Sequence, residues 1–347
     1  MRFQSLMMTA AVLGLSAACG GQPTEAPAEP TAAAAPTLAP ATEAPTEAPA
    51  EAVTVSQSTV ELPAVDAAAV TGDIVTAGSS TVYPLSEAVA KAFEREGYAG
   101  KITIDSVGTG AGFERFCVAG ETDVANASRA IKDEEAASCA AIGRTPVEFR
   151  VGTDALAVVV SAENDFAQDL TMQQLADVFA GTAKAWADLD PSYPAEPIQL
   201  FSPGTDSGTF DYFVEAVYEK DNTKILGANP QMSEDDNVLA QGVAGSPYAI
   251  GYFGYAYLQE SGGALRALSI DGVAPSFDSA ESGTYPLSRP LFIYSDANVM
   301  QQKPQVAAFV NFFLTNVNDL IGDAGYFPAS GEALDAAKNN WLAATGQ

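Results

Sequence analysis

The 347-residue chain contains no histidine. That removes Ser-His-Asp and Cys-His catalysis and the His-containing zinc sites, since no fold supplies a missing imidazole. Basic residues are scarce: 16 Lys and Arg stand against 44 Asp and Glu, a formal charge of −28. Such acidity argues against nucleic acid, which is held through basic patches, and against electrostatic adsorption to anionic lipid. Beyond the N-terminus no stretch reaches the roughly 18 apolar residues that span a bilayer. Cysteine is rare as well, with three in all. No cofactor and no metal is called for. The 47% hydrophobic content is enough for cores, and the length leaves room for two domains.

Residues 1–18 have the pattern of a secretory signal: Arg2 supplies the positive start and Leu6 to Leu15 is mostly apolar. The segment ends Leu15-Ser16-Ala17-Ala18-Cys19-Gly20, and small residues before a cysteine resemble a bacterial lipoprotein processing site. Leu15 stands four residues before Cys19, where that pattern has it three before. Lipidation of Cys19 is therefore expected, with plain signal cleavage as the alternative. Residues 19–63 read as a disordered linker: Glu-Ala-Pro recurs at 25–27, 43–45 and 47–49, with no aromatic to bury. Pro at short intervals keeps such a chain extended, as a spacer from a membrane. With Cys19 lipidated, Cys117 and Cys139 remain as a pair, a disulfide outside the cytosol or else two buried thiols. Bridged, they close a loop of about 20 residues, worth roughly 3 kcal/mol in the chain-entropy model.

From Val70 on, strand and helix signals alternate. Ile74-Val75-Thr76-Ala77 leads into the small polar turn Gly78-Ser79-Ser80-Thr81, and Leu85, Ala88, Val89, Ala92 and Phe93 follow at helical spacing. A strand over 101–105 precedes Val107-Gly108-Thr109-Gly110, and 122–125 runs into Asn126-Ala127-Ser128-Arg129. Val147 to Val160 is rich in β-branched residues, and 198–201 leads into Ser207-Gly208-Thr209. Further strands are expected at 248–253, 266–270 and 289–294, and helices at 305–316 and 331–343. Repeated βα units predict an α/β fold with parallel sheets. In such folds ligands bind beyond the carboxyl ends of strands, where helix starts present unpaired N–H groups. One small polar turn is an ordinary helix cap. Three of them in one chain point to a shared anion.

These motifs, with Ala249-Ile250-Gly251-Tyr252-Phe253-Gly254-Tyr255, occur in the same order in periplasmic phosphate-binding proteins, the substrate-binding components of ABC phosphate importers, and the chain from Ile74 onward resembles that family. The resemblance implies a type II periplasmic binding fold: two α/β lobes, 70–154 with 289–347 and 155–288, each a mainly parallel sheet flanked by helices, joined by a two-strand hinge. It implies reversible binding of inorganic phosphate and delivery to the permease subunits by a monomer outside the cytoplasm, touching the membrane only through its lipid. It also implies the phosphate contacts Ser80, Thr81, Val82, Thr109, Asp123, Ser207, Gly208 and Thr209. Many members carry an arginine four residues before the last serine, where this chain has Pro203; Arg129 is the candidate replacement, or else a surface arginine.

Asp123 carries the expected selectivity. An ionised carboxylate accepts a hydrogen bond from the P–OH of phosphate, whereas sulfate has no proton to give and leaves the carboxylate unpaired, at a cost of roughly 1–3 kcal/mol or more. Without that role Asp123 is a strand-end cap. Three rivals stand beside phosphate capture. Another oxyanion would not need Asp123. An enzyme using Ser207 or Ser80 has no histidine as base and no Gly-x-Ser-x-Gly elbow. A surface adhesion protein would use Tyr252, Phe253, Tyr255 and Tyr257 as an exposed stripe.

Overall fold

The computed structural model describes residues 57–205 and 207–347. The signal segment, Cys19 and the linker up to residue 56 lie outside the described residues. In chain order the elements are β1 (Ile74–Gly78), α1 (Tyr83–Arg95), β2 (Ile102–Ser106), α2 (Thr109–Glu114), β3 (Val124–Ala127), α3 (Asp133–Ala141) and β4 (Pro146–Ser161). They continue with β5 (Asp169–Leu170), α4 (Met172–Phe179), β6 (Gln199–Pro203), α5 (Gly208–Tyr218), α6 (Thr223–Ala228), β7 (Gln231–Ser233), α7 (Asp236–Ala244), β8 (Ala249–Gly254) and α8 (Tyr255–Glu260). The last are β9 (Leu265–Ala267), β10 (Ser269–Ile270), α9 (Phe277–Glu281), β11 (Ser288–Asp296), α10 (Ala297–Gln302), α11 (Pro304–Leu320) and α12 (Gly331–Thr345).

The main sheet runs β2-β1-β3-β11-β4-β8-β6-β7, with β9 also on β4. Its two flanks are parallel, β2-β1-β3 and β8-β6-β7, as βα repeats require. The middle is antiparallel: β11 pairs with β3 and β4, and β4 with β8. The long β4 joins the flanks. Phe149 and Val151 pack into one core with α1, α11 and α12, while Ala155, Leu156, Val158 and Val160 pack into a second core with α4 and α5. β11 makes the same passage, with Leu291 and Ile293 in the first core and Leu287, just ahead of it, in the second. The expected strand over 266–270 is two pieces, β9 and β10, with Leu268 between them in the second core. Tyr252 and Phe253 are fully buried, so they form no surface stripe.

Cys117 and Cys139 form a disulfide, tying the turn after α2 to α3. The expected linker end at residue 63 is overturned. The Asp335 carboxylate on α12 accepts from the Ser58 hydroxyl at 2.6 Å and from the Thr59 and Val60 N–H groups, and Asn311 donates to the Pro63 carbonyl. Leu62 packs on the first core, so burial and directed bonds hold the chain from Ser58 on.

Candidate functional site

The site begins at the end of β1. Gly78 has φ +148°, and a Cβ there would lie 2.0 Å from the Asn126 carbonyl oxygen, so the strand can turn this tightly beside β3 only with glycine. The turn is locked by Ser79, whose N–H donates to the Asn126 carbonyl and whose hydroxyl accepts from the Val82 N–H at 3.4 Å. Thr81 then sits buried at the head of α1.

The turns after β2 and β3 arrive alongside. Thr109 heads α2, and its hydroxyl accepts from the Ser128 N–H at 3.2 Å. Arg129 follows, with Nη1 and Nη2 donating to the two Glu135 oxygens at 2.8 and 2.7 Å. That carboxylate holds the guanidinium still more firmly protonated.

A cavity of about 1030 Å³ opens where these strand ends meet α5. Ser80, Thr81, Thr109 and Arg129, four of the expected phosphate contacts, line it. Ser207, Gly208 and Thr209 lie beside it instead. Ser207 caps α5, its hydroxyl accepting from the Thr209 N–H at 3.2 Å, and a Cβ on Gly208 would lie 3.3 Å from the Ser80 carbonyl oxygen and the Thr81 Cα. The α5 start thus rests directly on the first turn, and a side chain at 208 would press on it.

Two expectations need correction. Val82 does not line the cavity; its side chain is fully buried in the first core and its N–H faces the Ser79 hydroxyl. Asp123 is also elsewhere. It precedes β3, in line with Val75 at the opening of β1, and so lies at the opposite end of the strands from the turns. There its carboxylate, 3% exposed, accepts from the Val75 N–H at 3.1 Å and pairs with the Lys303 ammonium at 2.6 Å. A residue ahead of a strand cannot reach a ligand bound beyond its carboxyl end.

One group was missed. Arg289 on β11 lines the cavity and is 8% exposed. Its Nη2 donates to the Thr81 hydroxyl and its Nη1 approaches the Ser128 hydroxyl at 3.5 Å. Asp154, its direct register partner on β4, accepts from Nε at 3.1 Å, and the Tyr212 ring of α5 lies 3.6 Å from the guanidinium carbon. Burial raises the Asp154 pKa, and Arg289 opposes the rise. This buried cation stands where the Pro203 turn supplies none. The signal was faint: an Arg-Pro opening an apolar strand, 208 residues from Thr81.

Comparison with known proteins places this architecture. A family model described as a PBP superfamily domain matches residues 39–317. The chain belongs to that superfamily. Over 275 residues it is 42% identical to Protein SphX of Synechococcus elongatus, covering 76% of this chain and 80% of that one. It is 35% identical over 254 residues to the phosphate-binding protein PstS of Staphylococcus epidermidis, covering 72% and 76%. The crystal structure of a possible phosphate binding protein from Planctomyces limnophilus superposes with a TM-score of 0.74 at 38% identity, covering 80% of this chain and 99% of that one. The mixed α/β sheet and its two long central strands are those of the type II binding fold within the superfamily.

Proposed function

We propose that this chain binds inorganic phosphate in the cavity between the strand ends and α5, and passes it to the permease subunits of an ABC importer. The observation that carries the reading is Arg289, a buried guanidinium presented beside the Thr81, Ser128 and Thr109 hydroxyls. Arginine offers phosphate a planar fork of donors, and in a poorly hydrated cleft each directed donor is worth more than in water. Local groups of this kind outweigh the net charge of −28, whose reach is screened beyond about 8–10 Å at ordinary salt. The PstS relative supports the ligand and the transport role. Thr81, Ser80, Thr109 and Ser128 hold phosphate from one side, Arg289 from beneath, and the Ser207-Gly208-Thr209 start of α5 from the other. Arg129 stands at the rim. The halves 70–154 with 289–347 and 155–288 act as the closing lobes, with β4 and β11 as hinge. The N-terminal pattern supports export and a lipid anchor on Cys19; among the described residues no helix is long and apolar enough to cross a membrane.

Isothermal titration of the purified protein tests this. Phosphate binds the wild type, and Arg289→Ala weakens it at least a hundredfold, while Arg289→Lys, which keeps the charge and loses the fork, falls between. Phosphate affinity that survives Arg289→Ala places the ligand elsewhere.

A further inference from the structure

After β4 and β11 the chain passes between the two cores once more. Ile321, just beyond α11, and Tyr326 pack on the first core, while Phe327 lies in the second, against Tyr255 and Phe277. This crossing is fastened to β4, since Thr153 and Phe327 exchange both backbone hydrogen bonds, at 2.9 and 2.8 Å. Gly152 makes room for it: a Cβ there would lie 2.2 Å from Ile321 Cδ1 and 3.0 Å from the Phe327 carbonyl oxygen. Val151 belongs to the first core and Ala155 to the second, so the contact falls where β4 leaves one for the other. Thr153 adjoins Asp154, the partner of Arg289.

From this crossing one side chain reaches the first turn. The Tyr326 hydroxyl donates to the Thr81 carbonyl at 2.8 Å, between residues 245 apart in the chain. Thr81 is thus held twice, its hydroxyl by Arg289 and its carbonyl by Tyr326. Arg289 stands on β11 and Tyr326 on the last crossing, so both grips come from segments that join the cores. We infer that Tyr326 is a positioning residue for phosphate binding, which sets Thr81 through its carbonyl and ties the first turn to the crossing between the cores. The inference rests on the proposed phosphate site. Tyr326 does not line the cavity, so it acts through Thr81 rather than on the ligand. Without its hydroxyl the turn keeps the Ser79 lock, but the residue that Arg289 grips loses its second support.

The test is phosphate titration of wild type, Tyr326→Phe and Tyr98→Phe, each also in an Arg289→Lys background, with ligand-free thermal unfolding to check that every variant is folded. Tyr98 is the matched control. Its hydroxyl donates to the Gly72 carbonyl at 2.5 Å, in the same first core but ahead of β1, at the end of the strand away from the cavity. Both changes keep the ring and remove one hydrogen bond, so a general loss of stability affects them alike. Only Tyr326→Phe lowers phosphate affinity, by about threefold to tenfold. Because Tyr326 and Arg289 act on the same residue, that factor shrinks in the Arg289→Lys background. An affinity unaltered in Tyr326→Phe, an equal loss in Tyr98→Phe, or a factor unchanged by Arg289→Lys overturns the inference and leaves the phosphate site standing. A wild type that binds no phosphate overturns the site, and the inference with it.

Discussion

At the scale of single residues, the Arg289–Asp154 pair decides most. Both groups are nearly excluded from water, so each is the other's counter-charge. Asp154→Asn leaves Arg289 buried and unpaired; we expect a loss of about 3 kcal/mol in urea unfolding, with phosphate affinity reduced because the guanidinium is no longer aimed. The double variant Asp154→Asn with Arg289→Met should lose much less stability than the two single changes summed, since removing both charges removes the desolvation cost too. Additive losses would show that the pair is not coupled. The hydroxyls of Ser80, Thr81 and Thr109 were legible because small polar turns between a strand and a helix recur three times in this chain. Arg289 was not, because its meaning comes from a partner on an adjacent strand. Asp123 was misread because an acidic residue near a strand looks alike at either end, and only strand direction separates a ligand from a brace.

Among elements, two invite measurement. The 117–139 bridge closes a loop of 22 residues between the turn after α2 and α3. Replacing both cysteines by alanine should lower stability by about 3 kcal/mol, read as a drop in thermal midpoint that reductant reproduces in the wild type; a reductant-insensitive midpoint would contradict it. At the start of α7, burial, with Asp235 and Glu234 beside it, pushes the Asp236 carboxyl up to about 6. The folded state thus holds a proton that the unfolded chain, with an ordinary value near 4, releases first, so stability falls as pH rises from about 4 to about 6. Asp236→Asn should flatten that limb and add on the order of 1 kcal/mol at pH 7, allowing for solvent screening. A variant whose stability profile matches wild type across that range would remove Asp236 from the account. The βα units were readable from their spacing, as was the long strand expected over 147–160. The split between β9 and β10 was not, because β9 pairs with β4 and β10 with β5, a choice made by neighbours.

Across the whole molecule, β4 and β11 tie two cores together, and a further group braces them. Glu281 at the end of α9 accepts from Arg150 at 2.9 Å and from the Thr153 hydroxyl, both on β4, and from the Ser330 N–H at the head of α12 at 3.2 Å. It joins a helix of the second core to the strand and helix of the first. Glu281→Ala should cost about 2–3 kcal/mol in thermal unfolding, a figure reduced for partial exposure. It should also change phosphate affinity although Glu281 does not line the cavity. Unchanged affinity and stability would leave Glu281 without this role.

The sequence by itself determined which chemistries were open. A chain without histidine has no imidazole to catalyse with, and a large acidic excess weighs against nucleic acid. Its three polar turns follow strands, which is where helix starts leave N–H groups unpaired. Those are local properties, set by residue type and by neighbours a few positions away. The place of the buried Arg289 beside Thr81 and the place of Asp123 were decided only in three dimensions. Arg289 meets Thr81 because β11 runs antiparallel to β3 and β4, and Asp211 meets Ser80 because α5 rests its Gly208 on the first turn. Contacts between residues so far apart in the chain depend on strand direction and packing, and neither is written in any single stretch.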